Sequence, residues 1–358
     1  MLDSHHRSIG LDFVRSMAII LVIIAHYSTD NYLPGLLGVE IFFGLSGFLI
    51  GQVLWRNFNS ITKWDYKHVV NFWSRRWWRT IPNYLLFLVI NIIYNFYSKE
   101  PVPSIHELIK FFFFSQNLLS NSYNFYFISW SLCVEEFVYL LFPVVLLFYS
   151  RFINSKQAAF ITSFLTFFIS APIIRHFLIE HTDYSSIRYL TLGRLDSITY
   201  GIAVAYFFVI RPSTGRFNVF AFILGIVFFA VPLWLTYFMH INLRDLVGRT
   251  YLLIILPLGA ALTLPVFSKF TLKSKPISNV IIKISLWSYS LYLCHQLILH
   301  FITSLVINKT TPGTDGVTLY LARVISLVLS VICSWLLFRF FESKFTKMRP
   351  KELKPASI

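Results

Sequence analysis

Three ionisable side chains interrupt an apolar run near the start of the chain, LDFVRSMAIILVIIAH, where Asp12, Arg15 and His26 stand among Ile, Leu, Val and Ala. Within a membrane span such a group costs about 2.5–3.5 kcal/mol on insertion scales and marks a functional site by default. Eleven helical steps of 100° overshoot three full turns by only about 20°, so Arg15 and His26 share one face, roughly 16.5 Å apart along the axis. The arginine suits an anion near one membrane face, and the histidine suits proton transfer near the other. Asp12, three residues before Arg15, is placed to pair with it. A snorkelling Arg15 and an interfacial His26 would leave the same pattern.

Further candidates follow along the chain. GVEIFFGLSGFLIG carries Glu40 at the outer end of a second span, level with His26, where a carboxylate could orient the imidazole. Its Gly44, Gly47 and Gly51 recur at helical spacing and read as close helix packing. FWSRRWWRTIP reads as a loop before the third span that crowds Arg75, Arg76 and Arg79 at the cytoplasmic surface; such a cluster either grips phosphate or anchors a basic membrane face. SWSLCVEEFVYLLFP opens the fourth span with adjacent carboxylates. Ser131, Glu135 and Tyr139 share a face there, one of Glu135 and Glu136 reads as functional, and the other is free to reach the interface. Arg194 and Asp196 enter the outer end of the sixth span, His295 lies within the ninth, and His300 reads as a satisfied core histidine. Arg15, Arg76 and Arg79 thus fall in the inner half; His26, Glu40, the glutamate pair, Arg194 and Asp196 fall in the outer half.

These residues need lipid-embedded helices to position them. Only 13% of the 358 residues are charged and 56% are hydrophobic, whereas soluble domains are about 25% charged. Disorder and collagen-like sequence are excluded on the same ground. Ten stretches meet the requirement of roughly 20 apolar residues: 9–28, 36–55, 81–98, 127–149, 157–177, 191–210, 217–238, 250–268, 284–306 and 319–341. The stretch 105–119 is short and polar-flanked and reads as re-entrant or interfacial. With the N-terminus inside, Lys and Arg fall predominantly in the inside loops, including Arg56, Lys63, Arg211, Lys269, Lys275, Lys347 and Lys354, against a smaller outside set of Lys99, Lys110, Arg175, Arg188, Arg244, Arg249 and Lys309. Both termini are therefore expected in the cytoplasm. The formal charge of +15 then faces anionic lipid and implies no nucleic acid. The first run reads as a retained helix, since Asp12 and Arg15 break any signal-peptide pattern. The three cysteines sit in apolar stretches and suggest neither a disulfide framework nor a metal site. The expected architecture is an all-α polytopic bundle over residues 1–345, then a short basic tail, 346–358, with no appended soluble domain.

In this order over residues 9–342, these motifs resemble the membrane-bound acyltransferase family 3, whose members O-acylate bacterial polysaccharides. The Arg followed eleven residues later by His, and the RxxR at Arg76 and Arg79, are the most telling. The resemblance implies a multi-pass protein of the bacterial cytoplasmic membrane that moves an acyl group, usually acetyl, from cytoplasmic acyl-CoA to a hydroxyl of an extracytoplasmic glycan or lipid-linked saccharide. It implies acyl-CoA as a co-substrate, with no tightly bound cofactor and no metal. His26 would be the essential histidine, acting as general base or as acyl carrier, with Glu40 and Glu135 beside it in the catalytic set. Arg15, Arg76 and Arg79 would bind the donor. Trp130, Ser131, Glu136, Arg194, Asp196 and His295 would face the acceptor, Arg194 as an oxyanion donor. Two departures stand out: Glu40 replaces the family's usual Asp, and Phe137 and Val138 replace its usual Gln-Phe. The competing class is a proton-coupled transporter or lipid-linked glycan flippase, for which buried charges also serve; no inverted repeat supports it.

Overall fold

The computed structural model describes residues 7–28, 33–118, 125–181, 187–210, 215–238, 251–307 and 316–353. Arg211, Arg244, Arg249, Lys309 and Lys354, which enter the loop-charge comparison, lie outside them. The described residues form helices: α1 (Ile9–Tyr27), α2 (Leu33–Ser60), α3 (Tyr66–Ser98), α4 (Ile105–Phe112), α5 (Trp130–Phe152), α6 (Lys156–His181), α7 (Leu195–Ala205), α8 (Gly215–Phe238), α9 (Leu253–Lys269), α10 (Lys275–Ile307), α11 (Gly316–Leu337) and α12 (Ser343–Lys347). Lipid offers the backbone no partner, so each span bonds to itself.

Nine helical segments among the described residues are long and apolar enough to cross a membrane, and the tenth expected span is the 17-residue apolar α9. Of the stretch 105–119, the described residues 105–118 include the eight-residue α4, about 12 Å long and too short to cross a hydrocarbon core of about 30 Å.

Two boundaries differ from expectation, and one of them moves the site. The residues expected to form a loop, FWSRRWWRTIP, lie inside the 33-residue α3. The helix starts early because Asp65 caps it, accepting from the amides of Lys67 and His68, while the His68 side chain receives the Asp65 amide. Arg76 and Arg79 are therefore one helical turn apart on one face and look into the bundle instead of lying on its surface. Helix α10 likewise begins at Lys275.

Close packing brings the elements together. A Cβ on Gly47 would lie 1.8 Å from the Ile198 carbonyl oxygen, and one on Gly201 2.2 Å from that of Gly44, so α2 and α7 touch backbone to backbone. This is the packing role expected of the α2 glycines. α1 and α10 run parallel: Ser16 Oγ donates to the Ile281 carbonyl at 2.9 Å, and Tyr27 OH to that of His295 at 3.4 Å. Segments expected on the cytoplasmic side meet at one end, where Ser8 donates to the Ser268 carbonyl and Lys156 to that of Asn59, both at 3.0 Å. That end is called the basic end below.

Candidate active site

A cavity of about 320 Å³ opens among α1, α2, α3, α5 and α10, with Arg15, Arg76 and Arg79 in its wall. Arg15 is held from two sides: its Nη1 lies 3.5 Å from Asp12 Oδ1 and donates to Ser285 Oγ at 3.2 Å. The expected Asp12–Arg15 pair is thus present, but Asp12 is shared, since Ser285 donates to it at 2.6 Å and Arg7 Nη2 at 3.0 Å. Arg76 sits over the Tyr139 ring, its Cζ 4.2 Å from the centroid, with Nη2 3.8 Å from Glu135. Tyr139 in turn donates its hydroxyl to Glu135. With Asp12 also engaged by Arg7, the carboxylates in and beside the wall leave the guanidiniums in excess, the electrostatics of an anion site.

This cluster corrects the expected separation by depth. Glu135, assigned to the outer half with His26, meets Arg76 of the inner set, because α3 carries its arginines inward. Neither glutamate reaches the interface: Glu135 lines the cavity, while Glu136 is buried with both carboxylate oxygens lacking a hydrogen-bond partner. Ser131 shares the face of Glu135 and Tyr139 and lies 2.6 Å from the Tyr292 hydroxyl. Trp130 sits behind, edge-on to Phe43 at 5.9 Å and to Tyr189 at 5.0 Å.

At the other end of α1, His26 meets His295. His26 Nδ1 is 2.8 Å from the Val22 carbonyl oxygen and 3.4 Å from His295 Nε2, and His295 Nδ1 is 3.0 Å from the Leu291 carbonyl oxygen. A carbonyl only accepts, so each Nδ1 carries a proton. The His26 Nδ1 proton is thus directed to the Val22 carbonyl, with His295 Nε2 a longer contact at 3.4 Å, and in the neutral imidazole the His26 Nε2 lone pair is left unprotonated. This is the tautomer a base or a nucleophile needs. Tyr292, whose ring centroid is 6.0 Å from that of His295, lies between this pair and the cavity it lines.

The structure does not bring Glu40 to His26. Glu40 is fully buried and paired with Arg194, which also donates to the Leu253 carbonyl at 3.3 Å. Gly38 packs on Ala18 and Val22, which sets this part of α2 below His26, so the shared level expected from the sequence does not occur. Asp196 is held by Arg175, whose Nη2 approaches both carboxylate oxygens at 2.6 Å, and by the Tyr200 hydroxyl at 3.0 Å. Arg194 and Asp196 thus bind α2, α6, α7 and α9 together and do not line the cavity. His300, expected in the core, is exposed and lines a separate cleft of about 720 Å³ at the end opposite the basic one.

Several site residues escaped the reading of the sequence. Arg175 was expected in an outside loop and is fully buried in α6. Ser285 and Tyr292 gave no signal, being ordinary polar residues in an apolar helix. Glu342 bonds Ser290 at 2.7 Å and Asn83 at 3.1 Å; an acidic residue closing an apolar run was a usable clue. Arg349, also in the cavity wall, follows the last helix.

The chain's sequence has counterparts among known proteins. A family model described as an acyltransferase domain, the acyltransferase 3 family, matches residues 8–339. The chain belongs to that family. Among curated proteins it is 28% identical to the O-acetyltransferase OatA of Staphylococcus aureus over 94% of this chain and 57% of that protein. A second protein of that species, strain COL, provisionally named an O-acetyltransferase, is 26% identical over 96% of this chain and 58% of its own length. The chain therefore spans somewhat over half the length of these relatives. No solved structure matches. The acyltransferase match includes Arg15, His26, Glu40, Arg76, Arg79, Glu135 and His295 and ends before Arg349.

Proposed function

We propose that the chain is an integral-membrane O-acetyltransferase that takes an acetyl group from acyl-CoA at its basic end and delivers it to a hydroxyl of an extracytoplasmic glycan or lipid-linked saccharide, in the bacterial cytoplasmic membrane. One observation carries the reading: along the parallel pair α1 and α10, Arg15 gathers with Arg76 and Arg79 of α3 toward one end, and His26 meets His295 at the other. The names of the relatives supply the O-acetyl chemistry. The acceptor side is the cleft near His300, where Tyr94, Tyr126, Asn95 and Gln296 offer the aromatic faces and amides that sugars use.

The donor's phosphates lie against Arg76, Arg79 and Arg15, and its thioester arm extends past Tyr292 toward His26. His26 Nε2 takes the proton of the acceptor hydroxyl as that oxygen attacks the thioester carbonyl carbon. The carbon–sulfur bond then breaks, and the proton passes from His26 to the departing thiolate. The products are the ester and free CoA. The Val22 carbonyl holds the tautomer of His26, and His295 braces the ring from α10.

The test uses inside-out membrane vesicles that enclose the host's surface glycan in their lumen and receive acetyl-labelled acetyl-CoA outside. Label is expected in glycan with the native chain and absent with His26→Ala, provided both proteins reach the membrane in equal amounts. Transfer by His26→Ala at the native rate overturns the role of the histidine, and no consumption of acetyl-CoA by the native chain overturns the donor.

A further inference from the structure

Of the three arginines in SRRWWR, two look into the cavity and the third does something else. Arg75 donates to the Pro350 carbonyl at 3.0 Å, and its Nη2 lies 3.8 Å from Glu352. Asn71, one turn earlier on α3, donates to the Lys351 carbonyl at 3.0 Å, and Arg56 of α2 lies 3.5 Å from Glu352. The segment Met348–Leu353 is thereby tied across the basic end, one turn of α3 outside Arg76 and Arg79. It places Arg349, itself exposed, in the wall of the same cavity.

The volume indicates what Arg349 faces. About 320 Å³ is at the small end of ligand pockets, which run roughly 300–1,000 Å³. It has room for the thioester and its pantetheine arm, not for the nucleotide as well. A donor whose arm points inward sets its diphosphate near Arg76 and Arg79. Its adenosine 3′-phosphate, the group farthest from the thioester, is then left at the mouth. We infer that the segment Met348–Leu353 is a strap that holds Arg349 over the basic-end mouth, where its guanidinium binds the 3′-phosphate of the acyl-CoA donor. The inference rests on the acyl-CoA reading above and adds a residue outside the matched stretch 8–339.

The test compares acetyl-CoA with acetyl-3′-dephospho-CoA in inside-out vesicles bearing the native chain, Arg349→Ala, Arg349→Lys or Glu352→Gln. For the native chain the KM of the dephospho donor is expected to be about tenfold higher, the size of one charge-assisted hydrogen bond. Arg349→Ala raises the KM for acetyl-CoA about tenfold and brings the ratio of the two donors close to one. Arg349→Lys keeps part of the discrimination, and Glu352→Gln, which loosens the strap without touching Arg349, loses part of it. A general folding defect would depress both donors alike and preserve the ratio. Native discrimination retained in Arg349→Ala overturns the strap alone, whereas a native chain that consumes neither donor overturns the acyl-CoA reading and the strap with it.

Discussion

A histidine acts as a base at one nitrogen when its other nitrogen is held, and here His26 Nδ1 is held within α1 by the Val22 carbonyl at 2.8 Å, with His295 of α10 beside it. The Val22 carbonyl sets the tautomer of residue 26, and His295 Nε2, 3.4 Å from the same nitrogen, adds a contact that orients the ring. His295→Leu, which removes this contact, is expected to lower kcat up to about tenfold, ~1.4 kcal/mol, the size of one net hydrogen bond. His295→Gln, which restores an acceptor, is expected to recover most of the loss; equal activity in both variants would remove the positioning role. Asp196→Asn weakens a fully buried partner of Arg175, and loss of such a pair costs roughly 3–5 kcal/mol. It should lower the unfolding temperature of the detergent-purified protein without changing the KM for acetyl-CoA. The chemistry-bearing residues were legible in the sequence as charges where charges are costly. Their pairings were not, because Glu40 meets Arg194 across 154 positions and His26 meets His295 across 269. No local spacing reports such contacts, and Glu40 was accordingly expected beside the wrong partner.

Apolar length made the spans legible, and small residues revealed one of their contacts. Hydropathy failed at the start of α3, where arginines and tryptophans look like a surface loop but continue the helix behind the Asp65 cap. That one error moved Arg76 and Arg79 from the surface to the interior. The α2–α7 contact is the most exacting packing in the fold. Gly47→Ala must displace the Ile198 carbonyl and is expected to cost about 1–3 kcal/mol, read as a lower midpoint in fluorescence-detected thermal unfolding. Gly215→Ala, where an added Cβ meets nothing within 4 Å, is the control. Equal midpoints for the two variants would contradict the backbone contact.

On the scale of the whole molecule, the proposed orientation places the basic end in the cytoplasm. A cysteine at position 274, beside the start of α10, should react with a membrane-impermeant maleimide only after permeabilisation, and one at 103, before α4, should react in intact cells; the reverse pattern would invert the topology. The parallel contact of α1 with α10 also bears on biosynthesis. Every residue between them must be made before His26 finds its partner, and at about 5–20 residues per second the 269 positions take roughly 15–55 s. Throughout that interval Arg15 lacks Ser285 and His26 lacks His295, so the first helix enters the bilayer with its polar face uncovered. A ribosome-bound fragment that stops short of α10 therefore carries the histidine without its cross-helix neighbour. The polar face of the first crossing is thus covered late, when the ninth closes against it.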